Sequence, residues 1–245
     1  MSQVKIPQLS VDLKIADNPK SDDEWSQVNP SCLLAYLGIR GYGSLIDIYG
    51  GEDGETVSGG SGSELVRAGA GNDVIYGNKG DDIIEGGRGE DRLSGGDGRD
   101  LVYGGAGKDL IYGGNGRDYL MGGNGYDKIY GGAGNDQIDG EGGKNYLDGG
   151  AGNDHLIVHK DDIAFGGSGN DQFQFDGMSG GKFDGGSGKD QATFEYERDY
   201  YDIIQFKDGF LVSSHEDDGT DATYITNVEV FAFAYETYNS SNFIS

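Results

Sequence analysis

Residues 104–112 read G-G-A-G-K-D-L-I-Y, and residues 122–130 read G-G-N-G-Y-D-K-I-Y. The same nine-residue pattern continues in both directions without a gap, giving twelve blocks from residue 50 to residue 157. Position four is glycine in every block except the first, where Asp53 stands, and positions one and two are nearly all glycine. A fixed period over this many blocks predicts a repeat architecture in which each unit stacks on its neighbours.

Two other positions of the block are equally regular. Position eight is always aliphatic: Val57, Val66, Ile75, Ile84, Leu93, Val102, Ile111, Leu120, Ile129, Ile138, Leu147 and Leu156. Position six always offers a side-chain oxygen: Glu55, Glu64, Asp73, Asp82, Asp91, Asp100, Asp109, Asp118, Asp127, Asp136, Asn145 and Asp154. The block therefore combines one core position with one acidic position.

A period of nine fits neither a helix of 3.6 residues per turn nor a long strand, but it fits a six-residue turn followed by a three-residue strand. Glycines at positions one, two and four allow the positive φ and close backbone approach of a tight turn. Alternation along the strand directs position eight inward and positions seven and nine outward. Two blocks then form one coil of eighteen residues, and stacked coils bury the aliphatic column.

Composition narrows the classes of function. The chain has 48 glycines but only 3 prolines, which excludes collagen and proline-rich linkers. A net charge of −25 repels nucleic acid and anionic lipid and attracts cations. Cys32 is the single cysteine, so no internal disulfide is expected. No stretch of about 18 apolar residues is present, and residues 1–20 lack the pattern of a cleaved secretory signal, so export would need another signal.

The two quoted nonapeptides resemble the repeats-in-toxin (RTX, haemolysin-type) motif G-G-x-G-x-D-x-U-x. The resemblance implies an all-β fold, a right-handed parallel β-roll, with calcium ions between successive turns on each edge. It implies that Asp73 shares an ion with Asp91, and Asp82 with Asp100. The implied aspartate ligands are Asp73, Asp82, Asp91, Asp100, Asp109, Asp118, Asp127, Asp136, Asp154, Asp171 and Asp190. The implied carbonyl ligands at positions one and three are Ala68, Ala70, Gly77, Lys79, Gly86, Arg88, Gly95, Asp97, Gly104, Ala106, Gly113, Asn115, Gly122, Asn124, Gly131 and Ala133.

The residue types agree with calcium, which takes six to eight oxygen ligands and accepts backbone carbonyls. The absence of thiolate and imidazole from the loops disfavours zinc. An alternative is that the aspartates only cap turns through Asx hydrogen bonds. Carboxylates stacked at a strand spacing of about 4.8 Å would then repel one another without neutralisation, which favours the calcium interpretation.

The pattern departs from the motif at several points. Glu55 and Glu64 replace aspartate in the first two blocks and weaken the case for calcium there. Asn145 at position six predicts a gap in one row of ions, and its block also carries Glu141 at a glycine position. Residues 158–165 form a block of only eight residues, after which Phe173 restores the core column.

Composition divides the chain into three parts. We expect residues 1–49 to form an N-terminal cap that ends in a degenerate repeat at residues 41–49, with a short helix or strand at residues 31–38. Residues 50–191 form the calcium-binding roll. Residues 192–245, poor in glycine and rich in aromatic and β-branched runs, predict a small cap of antiparallel strands. Residues 239–245 are compatible with an uncleaved C-terminal type I secretion signal.

Sequence motifs give little support for catalysis. Ser179 lies in a G-x-S-x-G match at residues 177–181, but no strand-elbow-helix pattern surrounds it. His155, His159 and His215 form no H-E-x-x-H motif, which argues against a metalloprotease. We therefore expect a secreted, non-catalytic structural, adhesion or polysaccharide-binding protein, extracellular and in one version attached to the cell surface. The alternative is the C-terminal folding and type I secretion module of a longer RTX toxin or enzyme. Oligomeric state stays open.

The outward positions define two faces. Leu65, Ile83, Leu101 and Tyr119 form an apolar stripe at position seven, which we expect a terminal segment to cover. The opposite face carries position-nine tyrosines and two basic side chains: Tyr76, Tyr112, Tyr130, Arg92 and Lys128. These residues suit stacking on sugar rings and pairing with an acidic polysaccharide. The simpler interpretation, which we favour, is that tyrosine is a good strand former.

Overall fold

The computed structural model describes residues 2–5, 12–15, 40–42, 45–175, 181–197, 200–206, 209–214, 222–233, 236–239 and 241. Over these residues the chain forms two sheets and no α-helix. In spatial order the first sheet contains β1 (Ser2–Lys5), β2 (Asp12–Ile15), β5 (Thr56–Ser58), β7 (Val74–Lys79), β9 (Arg92–Gly98), β11 (Leu110–Gly116), β13 (Lys128–Gly134), β15 (Tyr146–Ala151), β17 (Ile163–Ser168), β19 (Lys182–Ser187), β23 (Thr223–Thr226), β22 (Gly209–Ser214) and β21 (Tyr201–Phe206). The second contains β3 (Arg40–Tyr42), β4 (Leu45–Tyr49), β6 (Ser63–Ala70), β8 (Ile83–Arg88), β10 (Leu101–Gly107), β12 (Tyr119–Gly125), β14 (Gln137–Gly143), β16 (His155–Val158), β18 (Gln172–Phe175), β20 (Gln191–Phe194), β24 (Val230–Phe233) and β25 (Glu236–Asn239).

Alternate strands of the repeat region belong to alternate sheets, and each pairs in parallel with the strand one coil away. Val102 lies between Ile84 and Leu120 in the second sheet, a register of eighteen residues on each side. Ile111 lies in the same way between Leu93 and Ile129 in the first sheet. The predicted all-β solenoid of eighteen-residue coils is therefore confirmed.

The core is a double column of position-eight side chains between the sheets. Every one of them from Val57 to Leu156 is buried, most with no measurable exposure. Ile48 extends the column backward by pairing with Val66 at the same separation of eighteen residues, which agrees with the prediction of a degenerate repeat there. Because each strand contributes one aliphatic side chain, a single coil buries too little apolar surface to be stable alone.

The strands are longer than predicted. We expected three residues per strand, but β10 spans seven, from Leu101 to Gly107. The pairing continues into the glycines of the next block, where Gly105 faces Gly123 and Gly107 faces Gly125. Turns in successive coils have the same shape, so their amides and carbonyls remain aligned and extend the hydrogen-bonded ladder.

The glycines at positions two and four are required by the backbone. Gly105 and Gly107 have φ of 114° and 149°, a region that side chains other than glycine rarely adopt. A methyl group on Gly107 would also overlap the carbonyl oxygen of Gly89 in the preceding coil. The short distance between successive coils therefore requires glycine, with no side chain, at position four.

The eight-residue block changes the register without breaking the sheets. Ile163 of β17 pairs with Tyr146 of β15, a separation of seventeen residues. The missing residue is absorbed in the preceding turn, where Asp161 adopts a φ of 65°. Lys182 of β19 then pairs with Ile163 at a separation of nineteen. The core thus stays continuous through Ala164, Phe173 and Phe183.

The C-terminal strands correct the prediction of an antiparallel cap. β20 is parallel to β18, β23 to β19 and β24 to β20, so parallel pairing continues beyond residue 191. Among the described strands after residue 191, antiparallel pairing involves β21, β22 and β25 and their partners. Phe194 stacks near Phe175, Phe231 and Phe233 and closes the core at this end. Residues 31–38, Ser179, His215 and most of residues 239–245 lie outside the described residues.

The apolar stripe lies on the outer face of the second sheet, where Ile83, Leu101 and Tyr119 are 40%, 38% and 39% exposed. The described terminal strands extend the two sheets at their ends and do not cross this face. Residues 6–11 and 16–39 of the N-terminal segment lie outside the described residues, so the expectation that a terminal segment shields the stripe stays a prediction.

Substitution of a turn glycine tests the dependence of the pitch on glycine. We expect Gly107→Ala to lower the free energy of unfolding by more than about 2 kcal/mol, since it adds backbone strain and overlaps Gly89. Gly142→Ala is the control, because a methyl group there lies 3.2 Å from its nearest neighbour, the flexible Asn124 side chain. Urea denaturation at saturating calcium measures both variants. Equal losses would contradict this account of the pitch.

Candidate metal centre along the two edges of the roll

The position-six side chains form a vertical row on each edge of the roll, directly before the strands. The edge-one ladder precedes strands of the first sheet and contains Asp73, Asp91, Asp109 and Asp127, followed by Asn145 and Asp162. The edge-two ladder precedes strands of the second sheet and contains Asp82, Asp100, Asp118, Asp136, Asp154, Asp171 and Asp190. All of these side chains are buried, at 2% exposure or less.

One oxygen of each ladder aspartate is used to link two coils. The backbone N–H of Asp91 donates to Oδ1 of Asp109 at 2.8 Å, and that of Asp109 donates to Oδ1 of Asp127 at 2.9 Å. The same contact recurs along both ladders. The aspartates therefore accept backbone hydrogen bonds, but from the neighbouring coil and not from their own turn as Asx capping would require.

In every ladder aspartate except Asp162, the other oxygen accepts no hydrogen bond within the described residues. This applies to Oδ2 of Asp73, Asp82, Asp91, Asp100, Asp109, Asp118, Asp127, Asp136, Asp154, Asp171 and Asp190. These are the same eleven aspartates that the sequence predicts as ligands. A buried carboxylate oxygen without a partner is strongly unfavourable, so this repeated arrangement indicates a cation at each position.

The unpaired oxygens face a small space lined by backbone. A methyl group built on Gly104 would lie 2.6 Å from Oδ2 of Asp109 and 2.6 Å from the carbonyl oxygen of Gly122, one coil further on. At Gly86 and Gly113 a methyl group would meet Oδ2 of Asp91 and of Asp118. Position-one carbonyl oxygens border the equivalent space at Ala68, Gly77, Gly95, Gly104, Gly122 and Gly131. Glycine at position one keeps this space open.

The position-three carbonyls are placed differently. Those of Arg88, Asp97 and Ala106 accept hydrogen bonds of 2.8 to 2.9 Å from the position-four amides of the preceding coil. All position-three residues named from the motif lie in paired strands: Ala70, Lys79, Arg88, Asp97, Ala106, Asn115, Asn124 and Ala133. A carbonyl oxygen has a second lone pair, so their role as ligands stays a prediction.

Burial raises the pKa of the ladder carboxyl groups, and neighbouring carboxylates raise several of them further. The pKa is about 7 for Asp82, Asp109, Asp118 and Asp154. It is about 6 for Asp91, Asp100 and Asp171. The calcium-free roll thus disfavours the charged form that a cation would stabilise.

The set of donors fits calcium. In the part of the chain that the structure describes, no three acidic, histidine or cysteine side chains converge on one point. Backbone carbonyl oxygens must therefore complete the coordination of any ion held here. Calcium accepts that mixture of carboxylate and carbonyl oxygen readily, whereas zinc and other softer metals prefer nitrogen and sulfur.

The edge-one ladder changes character after Asp127. Nδ2 of Asn145 is buried without a partner, as expected for an amide where the motif has aspartate. The next member, Asp162, uses both oxygens, because Oδ1 accepts the N–H of Asn145 at 2.7 Å and Oδ2 accepts the N–H of His159 at 2.9 Å. The His159 ring in turn contacts Asp139 at 2.8 Å. Protein groups therefore satisfy both oxygens of Asp162, whereas the other ladder aspartates have one oxygen without a hydrogen bond among the described residues.

The sequence analysis did not identify Asp162 as a ladder member, because the eight-residue block places it at position five and not at position six. The available signal was the core residue Ala164 two positions later, the same spacing that separates Asp154 from Leu156. At the N-terminal end of the edge-two ladder, the Glu64 side chain points towards its own turn, where its Oε2 accepts the N–H of Gly60 at 3.2 Å. Glu55 makes the same contact with Gly51. The departures seen in the sequence thus correspond to carboxylates with internal partners.

The raised pKa values predict that acid partly replaces calcium. A group with a higher pKa in the folded chain favours folding fully below its unfolded pKa, about 3.9 for aspartate, and this contribution is lost as the pH rises through 6 to 7. In excess chelator, the circular dichroism spectrum should therefore show more β structure at about pH 4.5 than at about pH 8. Sedimentation at the lower pH controls for aggregation. An unchanged spectrum of a monomer would contradict the burial of these groups.

Comparison with protein-family models gives matches to one family, the RTX calcium-binding nonapeptide repeat. The matched segments are residues 58–93, 86–120, 94–129, 121–156 and 160–176. A comparison with curated proteins finds no match. Repeats of this family bind several Ca²⁺ ions in a β-roll, which agrees with the two ladders of buried carboxylates described above. Residues 58–176 of this chain therefore belong to the RTX calcium-binding repeat family.

Proposed function

We propose that this chain is a secreted, non-catalytic protein that folds when it meets extracellular calcium. The observation that supports the proposal is the set of eleven buried aspartates, each with one oxygen that accepts no hydrogen bond in the described residues. At neutral pH such a structure needs a cation before it can form, because each unneutralised carboxylate would be desolvated beside the next. Binding of calcium and folding are thus a single equilibrium.

Charge and core size make the coupling strong. Residues 50–157 carry 9 basic and 20 acidic side chains, and most strands there bury a single aliphatic residue. High net charge with a small core is the composition of a disordered chain. At the low free calcium inside a cell the chain would be unfolded and able to pass a narrow export channel. Outside, calcium would fold it in place, as is typical of secreted members of the family.

The contacts of the described histidines support a structural role. His159 bonds to Asp139 and shapes the turn that precedes β17, while His155 begins strand β16. Domains built from RTX repeats are typically structural, which agrees with a non-catalytic function. Across the described residues the structure contains no helix that is long and apolar enough to cross a membrane. The same module would also serve at the C-terminal end of a longer secreted toxin or enzyme.

A calcium titration tests the coupling and the assignment of ligands together. We expect calcium near 0.1 to 1 mM, roughly the range of extracellular modules, to convert a coil-like circular dichroism spectrum into a β spectrum. Asp91→Ala should raise the calcium midpoint by at least about tenfold, because it removes a ligand and even the loss of a group that only supports a ligand costs that much. Its neighbour Glu90 is exposed and outside the ladder, so Glu90→Ala removes the same charge and should leave the midpoint nearly unchanged.

Two results would count against the proposal. A β spectrum in excess chelator at neutral pH would show that the carboxylates need no cation. Equal midpoints for the Asp91 and Glu90 variants would show that net charge, and not the ladder, controls folding.

We further propose that a local patch on the outer face of the first sheet, which contains Arg92, binds an acidic polysaccharide despite the negative net charge of the chain. Tyr112 and Tyr130 stack with centroids 5.2 Å apart and ring planes at 13°. Tyr146 and Phe165 continue the row at 5.6 and 5.4 Å. The Arg92 guanidinium lies over Tyr112 at 5.3 Å from its centroid. This aromatic row with a basic group beside it supports carbohydrate stacking combined with charge pairing.

Replacement of the row tests this partner separately from folding. The double variant Tyr112→Ser/Tyr130→Ser should lose binding to immobilised polyuronate or sulfated polysaccharide by at least about tenfold, with the calcium-induced β spectrum retained. Tyr119→Ser on the second sheet is the control, since this exposed tyrosine lies outside the row. Unchanged binding by the double variant would exclude the row as the binding surface, and an absence of binding by the unaltered protein would exclude the partner.

A further inference from the structure

We propose that the C-terminal cap completes the calcium site at Asp190, in which Glu229 and the carbonyl of Asn227 face this aspartate. Residues 181–233 lie beyond the last segment matched by the family model, and Glu229 is in no nonapeptide. The inference goes beyond the proposed function, because it assigns to calcium the attachment of the cap as well as the folding of the repeats.

The cap contains a hidden coil of the roll. β23 pairs in parallel with β19, and β24 pairs in parallel with β20, as two successive strands of a normal coil would. Ile225 and Phe231 occupy the core column, both with no measurable exposure. Only six residue positions separate them, whereas nine separate Phe183 from Ala192 in the coil before. The turn between β23 and β24 has therefore lost three residues, which conceals the coil from a search by period.

Glu229 takes the place of a ladder aspartate in this shortened turn. The backbone N–H of Asp190 donates to Oε2 of Glu229 at 2.8 Å, the contact that every earlier member of the edge-two ladder makes with the next. The N–H groups of Glu229 and Val230 both donate to the carbonyl of Asp190, at 3.1 and 3.0 Å. The extra methylene of glutamate compensates for the shorter backbone.

The space beside Asp190 has the same lining as the sites within the roll. A methyl group on Gly185 would lie 2.7 Å from Oδ2 of Asp190 and would also overlap the carbonyl oxygen of Asn227. Asn227 thus occupies the place that a position-one glycine has in the repeats. Its φ is 50°, and its Nδ2 donates to Oδ1 of Asp184 at 2.6 Å, which fixes the turn.

An independent observation indicates a ligand in this space. Asp190 has no measurable exposure, and its Oδ2 accepts no hydrogen bond in the described residues. Oε2 of Glu229 and Oδ1 of Asp184 add further negative charge around the same turn. A divalent cation held by Asp190, Glu229 and the Asn227 carbonyl would neutralise this group. It would also bind the last repeat to the cap, and with it the hairpin of β21 and β22 that pairs with β23.

The test compares Glu229→Gln with Glu195→Gln in the full chain. Glu195 is an exposed acid just beyond β20, so the control removes the same charge nearby. We expect Glu229→Gln to bind one calcium ion fewer in equilibrium dialysis. Amide protection in residues 223–233, measured by hydrogen exchange, should need about tenfold more calcium. Protection in residues 82–154 should keep its normal calcium midpoint in both variants.

An unchanged ion count with unchanged protection of residues 223–233 would overturn the proposal, as would equal losses in the Glu195 variant. If Glu229→Gln fails to fold, Glu229→Asp provides the second measurement. It keeps the charge but shortens the side chain, so it should show an intermediate midpoint, and a normal midpoint would again overturn the proposal. Failure of the unaltered protein to gain β structure with calcium would instead contradict the proposed function.

Discussion

Carboxylates buried one above another at the spacing of neighbouring strands are the constraint on which the rest of this structure depends. Each ladder aspartate except Asp162 gives one oxygen to the amide of the neighbouring coil and leaves the other facing a space lined by backbone. The first contact sets the register between coils, and the second creates the need for a cation. The glycines follow from the same constraint, because a side chain at position one, two or four would fill that space or separate the coils.

The repeat region could be predicted because one short pattern specifies backbone, core and ligand together. Position eight predicted the buried column, and position six predicted the two rows of carboxylates. The length of the strands was not predicted, since the pairing of Gly105 with Gly123 arises only when turns of identical shape are stacked. Asp162 and Glu229 were missed for a different reason. Both lie where the chain has lost residues from a block, so a fixed count no longer reaches them, although the core residues Ala164 and Phe231 still follow two positions later.

The two edges of the roll are unequal. The edge-two ladder is continuous from Asp82 to Asp190, whereas the edge-one ladder is interrupted at Asn145 and ends in an aspartate that protein groups satisfy. At that point the His159 amide and the contact between His159 and Asp139 stabilise the turn without a cation. One edge therefore depends on calcium over a longer part of its length. The far end of edge one is instead held by hydrogen bonds between protein groups.

Alternate blocks belong to alternate sheets, so the cap can join the roll correctly only after an even number of blocks. β23 of the cap belongs to the first sheet and β24 belongs to the second. Glu229 therefore lies on edge two, directly after Asp190, the last aspartate of that ladder. Insertion of a single nine-residue block would exchange the two edges of the roll where they meet the cap. The two cap strands would then face the wrong sheets, and Glu229 would face the wrong ladder. A pair of blocks would preserve every contact. Evolution can therefore lengthen or shorten this molecule in steps of eighteen residues, and the number of coils can vary among relatives while the junction with the cap stays the same.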